Sequence, residues 1–256
     1  MKKPSADISL WTLRLQFLLC WLLFGFVQLP TEQITIFMVG DSTMADKAVA
    51  DNPERGWGQM FPMFFDSTVR IENHAKNGRS TRSFLREDLW SPVVAKLQPG
   101  DYVFIQFGHN DEKPEKINRY TPPEDYRANL IKFVTETRER KAHPILCTPV
   151  MRRRFDEHGR FYDEHGVYPD VVREVAREYQ VPLVDMHRKS ERLIVELGPE
   201  ESKKIFLWIE PGVYKSLPDG KQDNTHFSEY GASQIAALAV EGIKELDLEL
   251  AERLKH

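Results

Sequence analysis

The stretch Ile34-Thr35-Ile36-Phe37-Met38-Val39-Gly40-Asp41-Ser42-Thr43-Met44 organises the reading of the chain. Its apolar, β-branched first half has the composition of a buried strand, and Gly-Asp-Ser ends that strand abruptly. A serine hydroxyl is thereby expected at the carboxyl edge of a parallel sheet, where open α/β folds build their sites. Serine is a weak nucleophile without a base in hydrogen-bond reach. Asp223-Asn224-Thr225-His226 offers an acid and an imidazole three residues apart, just ahead of a helical pattern. Gly-Asp-Ser alone is an ordinary turn. Joined to the distant Asp and His, it points to a serine esterase.

Outward from that strand, similar apolar runs recur at 69–75, 102–107, 144–150 and 181–186. They are continuous, as expected of strands covered on both faces. Helical periodicity fills the gaps. In 124–140 the stripe is Tyr126, Leu130, Phe133, Val134 and Thr137, and in 167–179 it is Val171, Val172, Val175, Ala176 and Tyr179. This alternation predicts an α/β fold with a parallel sheet between helices. No internal repeat or linker divides the chain. Two irregular stretches, 151–167 and 199–224, are long enough to be functional and are read as walls of a substrate groove.

Lys and Arg total 35 against 39 Asp and Glu, a net charge of -4, which leaves no nucleic-acid footprint. Arg152-Arg153-Arg154 is the one basic run; it reads as a solvated loop or as an anion contact beside a pocket. At the N-terminus a basic Met1-Lys2-Lys3 precedes the apolar run 17–27. That run suits a signal-peptide core and falls short of the ~20 residues that span a bilayer. Residues 1–30 are therefore expected to be a signal peptide or N-terminal anchor, residues 31–256 the catalytic domain, and the location secreted or periplasmic. Past that segment Cys147 is the only cysteine, a buried strand thiol by its surroundings, so no intrachain disulfide and no zinc spacing is expected.

Two more strand ends carry site chemistry. One is His74-Ala75-Lys76-Asn77-Gly78-Arg79-Ser80-Thr81, the other Gln106-Phe107-Gly108-His109-Asn110-Asp111. Ester cleavage passes through an oxyanion, and each fixed donor aimed at it is worth about 3–4 kcal/mol. The Gly78 amide, the Asn110 side chain and the Ser42 amide are the donors expected. Asn-Gly and Gly-His-Asn are also common turn formers. His109 reads as structural, His74 and His187 as packing residues, and His143, His158 and His165 as loop surface. Trp57, between Gly56 and Gly58, reads equally as a core anchor or a sugar-stacking wall.

The blocks Gly40-Asp41-Ser42, Gly78, Gly108-His109-Asn110-Asp111 and Asp223-x-x-His226 resemble the SGNH, or GDSL-type, hydrolases in order and placement. Asp41-Ser42-Thr43-Met44-Ala45, Gly56-Trp57-Gly58, Asn77-Gly78-Arg79-Ser80-Thr81, Tyr168-Pro169 and Asp223-Asn224-Thr225-His226-Phe227 are similar to the rhamnogalacturonan acetylesterase branch. The resemblance implies a three-layer α/β/α sandwich with a five-stranded parallel sheet, flavodoxin-like. It implies Ser42 as nucleophile, His226 as base, Asp223 as its partner, and Ser42, Gly78 and Asn110 as the oxyanion hole. It also implies a metal-free, cofactor-free deacetylation of pectic polysaccharide or oligosaccharide; a monomer whose mature domain does not insert stably in a membrane is expected. Trp57, Arg79, Arg82 and Arg152 are the expected substrate contacts, the arginines facing galacturonate carboxylates. The alternative readings are a broader GDSL esterase or lipase, an acetylxylan-type deacetylase, and a carbohydrate-binding module that lost its chemistry. The last is disfavoured because Ser42, Asp223 and His226 are all retained.

Overall fold

A computed structural model of the protein describes residues 33–255, so the expected signal peptide or anchor in residues 1–30 lies outside the described residues. Strand β1 is Ile34–Gly40; β2 (Glu54–Arg55) belongs to a separate sheet; β3 is Val69–Asn73, β4 Tyr102–Gln106, β5 His143–Cys147 and β6 Leu183–Val184. The five strands other than β2 form one sheet in the order β3-β1-β4-β5-β6, and every pairing is parallel. All five expected strands are present. Strand β1 has the expected bounds, and the other four end before their apolar runs do, because those runs continue past the last ladder bond into a loop.

Side chains alternate across the pleat, so each strand feeds two cores. Ile36, Met38, Phe104, Ile145, Cys147 and Val184 lie on one face. There they meet helix α1 (Trp57–Met60) and, later in the chain, α6 (Met186–Glu201, kinked at Gly198) and α7 (Glu229–Glu245) through Ile194, Ile235, Ala239 and Ile243. Phe37, Val39, Val103, Ile105 and Leu146 point the other way. They pack on α2 (Thr81–Arg86), α3 (Ser91–Lys96), α4 (Pro123–Glu139) and α5 (Tyr168–Glu178) through Phe84, Val93, Phe133 and Val175. The stripe expected on 124–140 is the buried face of α4. The result is a three-layer α/β/α sandwich.

The strand order decides where a site forms. From β1 the chain moves out to β3 and returns to β4 on the opposite side of β1. Loops leaving β1 and β4 therefore diverge and open a crevice at their carboxyl ends, the switch point of a doubly wound sheet.

A second, antiparallel sheet was not anticipated. Strands β7 (Phe206–Ile209) and β8 (Lys221–Ser228) pair with each other and β8 with β2, in the order β2-β8-β7. The irregular stretch 199–224 is thus partly a hairpin, and Asp223 and His226 lie on a strand. Cys147 is 1% exposed, and burial pushes its thiol well above the usual range, which leaves it unreactive. No described helix is long and apolar enough to cross a membrane.

Candidate active site

Ser42 occupies the turn that follows β1, and its backbone is fixed from several sides. Asp41 is fully buried and accepts from the Thr43 amide (2.9 Å) and hydroxyl (2.8 Å) through Oδ1. Its Oδ2 lies 3.2 Å from His109 Nδ1. Burial pushes the Asp41 carboxyl up, but His109 and the Thr43 donors outweigh it and hold the group at about 2. Burial drives His109 down to about 4 against the pull of Asp41. The imidazole is therefore neutral near pH 7, and since a carboxylate only accepts, Nδ1 carries the proton. Among the described residues its Nε2 has no partner. His109 is structural, as expected.

Trp57 closes the same network. It is fully buried, its indole donates to Gln106 Oε1 at 2.5 Å, and Gln106 Nε2 donates to Thr43 Oγ1 at 2.8 Å. It packs edge-to-face with Phe61, 5.3 Å between centroids. Of the two readings of Trp57, the core anchor holds; the ring has no free face for a sugar, so its expected role as a substrate contact is corrected.

On β8, His226 Nδ1 lies 2.8 Å from Asp223 Oδ2, and His226 Nε2 lies 2.9 Å from Ser42 Oγ. Asp223 Oδ1 accepts from the Thr225 and His226 amides at 2.8 and 3.0 Å. Burial raises the Asp223 carboxyl, but the His226 contact and these amides lower it further, and it stays well below the ordinary carboxylate range. An ionised Asp223 requires the proton on His226 Nδ1, which leaves Nε2 free to accept from the Ser42 hydroxyl. Ser228 then ends β8 by capping α7, its Oγ accepting from the Gly231 amide at 3.0 Å.

Gly78 and Asn110 are brought side by side. Gly78 has φ +73°, a left-handed conformation that glycine adopts without strain. Asn110 Nδ2 donates to the carbonyl of Arg79, the next residue, at 3.1 Å. Asp111 ties the two loops together, its Oδ1 accepting from the Thr81 amide (2.9 Å) and hydroxyl (2.6 Å), while Ser80 and Ser83 form a capping box at the start of α2. Burial pushes the Asp111 carboxyl up to about 7 despite these donors.

The expected arginine contacts divide. Arg79 is half-exposed and paired to Glu87 at 2.7 Å, and Arg82 is exposed with Nη1 donating to the Tyr120 carbonyl at 3.2 Å. Arg152 is buried, ion-paired to Glu112 Oε1, and donates to the His109 carbonyl at 3.2 Å. Its expected role as a substrate contact is corrected: it braces the β4 loop from beneath. His165 is equally not loop surface. It is 1% exposed, with Nδ1 2.7 Å from Glu112 Oε2 and Nε2 2.9 Å from the Val150 carbonyl.

Arg153 is a residue whose part was missed. It is 7% exposed, and its guanidinium donates to Asn224 Oδ1 (3.0 Å), Ser202 Oγ (3.1 Å) and the Pro199 carbonyl. It lies 4.9 Å above the Trp208 ring, and its amide donates to the Asn224 carbonyl at 2.9 Å. Arg153 therefore clamps β8 between Asp223 and His226. Among the described residues no group of three or more His, Cys, Asp or Glu has the arrangement of a metal site.

A serine hydroxyl at the end of β1, 2.9 Å from an imidazole that is itself hydrogen-bonded to an aspartate, is the arrangement of a serine carboxylic-ester hydrolase. Residues 38–232 match the family model of the GDSL-like lipase/acylhydrolase family, and the chain belongs to that family. It is 44% identical over 223 residues to the rhamnogalacturonan acetylesterase RhgT of Bacillus subtilis (strain 168), covering 87% of this chain and 95% of that protein. A probable rhamnogalacturonan acetylesterase of the same organism, YesY, is 34% identical over 86% of this chain and 96% of its own length. Among solved structures, Bacillus subtilis YxiM superimposes with a TM-score of 0.72 at 25% identity, over 86% of this chain and 58% of that one. Axe2, an acetylxylan esterase of Geobacillus stearothermophilus, shares the fold at a TM-score of 0.60 and 19% identity, over 86% and 98%.

Proposed function

We propose that the protein is a carbohydrate esterase that removes O-acetyl groups from pectic polysaccharide, with rhamnogalacturonan as the backbone. The observation that carries the substrate is the 44% identity to a rhamnogalacturonan acetylesterase across 95% of that protein's length. The chemistry rests on the hydrogen-bonded chain from Asp223 through His226 to Ser42.

In this reading Ser42 Oγ attacks the acetyl carbonyl carbon as its proton passes to His226 Nε2. Asp223 holds the imidazole's tautomer and stabilises the imidazolium, without taking a proton itself. The carbonyl oxygen becomes an oxyanion, for which the Ser42 and Gly78 amides and Asn110 Nδ2 are the donors assigned in this reading. The tetrahedral species collapses, the sugar C–O oxygen leaves with the proton from His226, and Ser42 is acetylated. Water, deprotonated by His226, attacks the acetyl-serine, and acetate departs as Ser42 recovers its proton.

A polysaccharide substrate outside the cell accords with export directed by residues 1–30, and we assign a monomer; sequencing the N-terminus of exported protein and light scattering test these two points. The substrate is tested by acetate release from acetylated rhamnogalacturonan against acetylated xylan at matched ester concentration. Faster release from rhamnogalacturonan is expected, and equal or faster release from xylan overturns the assignment.

A further inference from the structure

We propose that Arg119 selects the anionic sugar, docking a galacturonate carboxylate against the oxyanion donors; the proposal rests on the pectic reading above. Arg119 lies on the loop that follows β4 and is exposed. Its backbone is pinned, the amide donating to the Lys116 carbonyl at 2.7 Å and the carbonyl accepting from Thr121 Oγ1 at 3.1 Å. The guanidinium carbon and both terminal nitrogens lie 3.1 Å from the point where a Cβ on Gly78 would sit. Three equal distances mean that the guanidinium plane faces Gly78. Its Nη1 also reaches Asn110 Oδ1, at 3.5 Å. The group thus spans both loops that supply oxyanion donors.

What separates Arg119 from Arg79, Arg152 and Arg154 is its charge balance, and what separates it from Arg82 and Arg153 is its place against Gly78 and Asn110. Arg79 has Glu87, Arg152 has Glu112 and Arg154 has Glu164. Among the described residues no carboxylate pairs with Arg119, and its side chain has one long contact to an amide oxygen. A guanidinium carries five N–H donors in a planar fork that fits a carboxylate bidentately, so most of its donors remain for a ligand. Held flat on Gly78, it cannot swing far without losing that contact. An anion docked there sits beside the reacting acetyl, on the acetylated sugar or its immediate neighbour. Of the arginines expected from the sequence to read the carboxylate, Arg79 and Arg152 are neutralised by glutamates and Arg82 donates to the Tyr120 carbonyl; Arg119, which the sequence did not single out, is the arginine laid against both Gly78 and Asn110.

The experiment compares wild type, Arg119→Ala and Arg119→Lys on one acetylated rhamnogalacturonan oligosaccharide, with its carboxylates either free or methyl-esterified, and on p-nitrophenyl acetate. Wild type is expected to prefer the free carboxylate by about tenfold in kcat/KM, the effect of one charge-assisted pair in a partly exposed place. Arg119→Ala should erase that preference, mainly through KM. Arg119→Lys should keep part of it, since the charge remains and the fork is lost. A loss of rate by Arg119→Ala that is equal on both forms would mean that Arg119 acts through Asn110 or the oxyanion, and the proposal fails. It fails equally if wild type shows no preference while cleaving both forms. Wild type that cleaves p-nitrophenyl acetate but neither oligosaccharide overturns the pectic assignment itself, and the proposal with it.

Discussion

Arg152→Met is the substitution that most sharply separates a scaffold from a surface. Arg152 is 5% exposed, and its guanidinium pairs with Glu112, whose side chain is itself 7% exposed. The change removes that ion pair and the hydrogen bond to the His109 carbonyl, and it leaves a buried carboxylate with His165 as its remaining partner at 2.7 Å. Breaking one side of a buried pair costs about 3–5 kcal/mol, and the surviving His165 contact argues for the lower end. At about 3 kcal/mol, a domain of this size should lose roughly 6–12 °C in Tm. Activity should fall through kcat on any ester, because the freed carbonyl belongs to the residue before Asn110. The assay is thermal or urea unfolding of wild type, Arg152→Met, Glu112→Leu and the double variant, with kcat and KM for p-nitrophenyl acetate. The double variant should recover part of the loss, since it leaves no unpaired charge. Unchanged Tm with a higher KM on pectic substrate alone would refute the scaffold role and restore Arg152 as a substrate contact.

Ser42→Ala and His226→Ala should each lower kcat by several orders of magnitude, and Asp223→Asn should keep the fold yet lose about 10⁴ by favouring the wrong tautomer, as steady-state kinetics and circular dichroism would show. Asn110→Ala should cost about 10²–10³ in kcat with little change in KM; a rise in KM alone would remove Asn110 from the oxyanion hole. Asp111 sets a pH dependence of stability. Burial raises its folded value to about 7, above its unfolded value of 3.8, so the folded protein binds the extra proton between them. The stability so gained is complete below the unfolded value and is lost as pH rises through about 7. Urea unfolding from pH 4 to 8 should show this decline in wild type and a flatter profile in Asp111→Asn, and parallel profiles would contradict it. Activity insensitive to EDTA is expected of a mechanism whose base is an imidazole.

How much of this was visible in the residues depends on how local each feature is. The five parallel strands and the stripe on α4 were legible because a continuous apolar run and a 3.6-residue period are written in neighbouring positions. Ser42, Asp223 and His226, which the structure joins in one hydrogen-bonded chain, each stand in a compact block of sequence, as do Gly78 and Asn110. The sheet β2-β8-β7 was not. Its strand Lys221–Ser228 is mostly polar and half-buried, and it is held by pairing with Phe206–Ile209 and with Glu54–Arg55 far away in the chain. Arg152, Arg153 and His165 were misplaced for a related reason. A basic run in a loop has the composition of a surface, and only the fold brings Glu112 and Asn224 to meet it. Trp57 was ambiguous until Gln106, on a different strand, supplied the acceptor for its indole.

The central claim is that Ser42 takes the acetyl group from the polysaccharide. Rapid-quench mass spectrometry of the enzyme mixed with acetylated rhamnogalacturonan oligosaccharide reads this directly. The account predicts a transient gain of one acetyl group on the peptide carrying Ser42, appearing before steady-state acetate release and absent in Ser42→Ala. Acetate release with no acetylated peptide at any time, or release undiminished in Ser42→Ala, would contradict it.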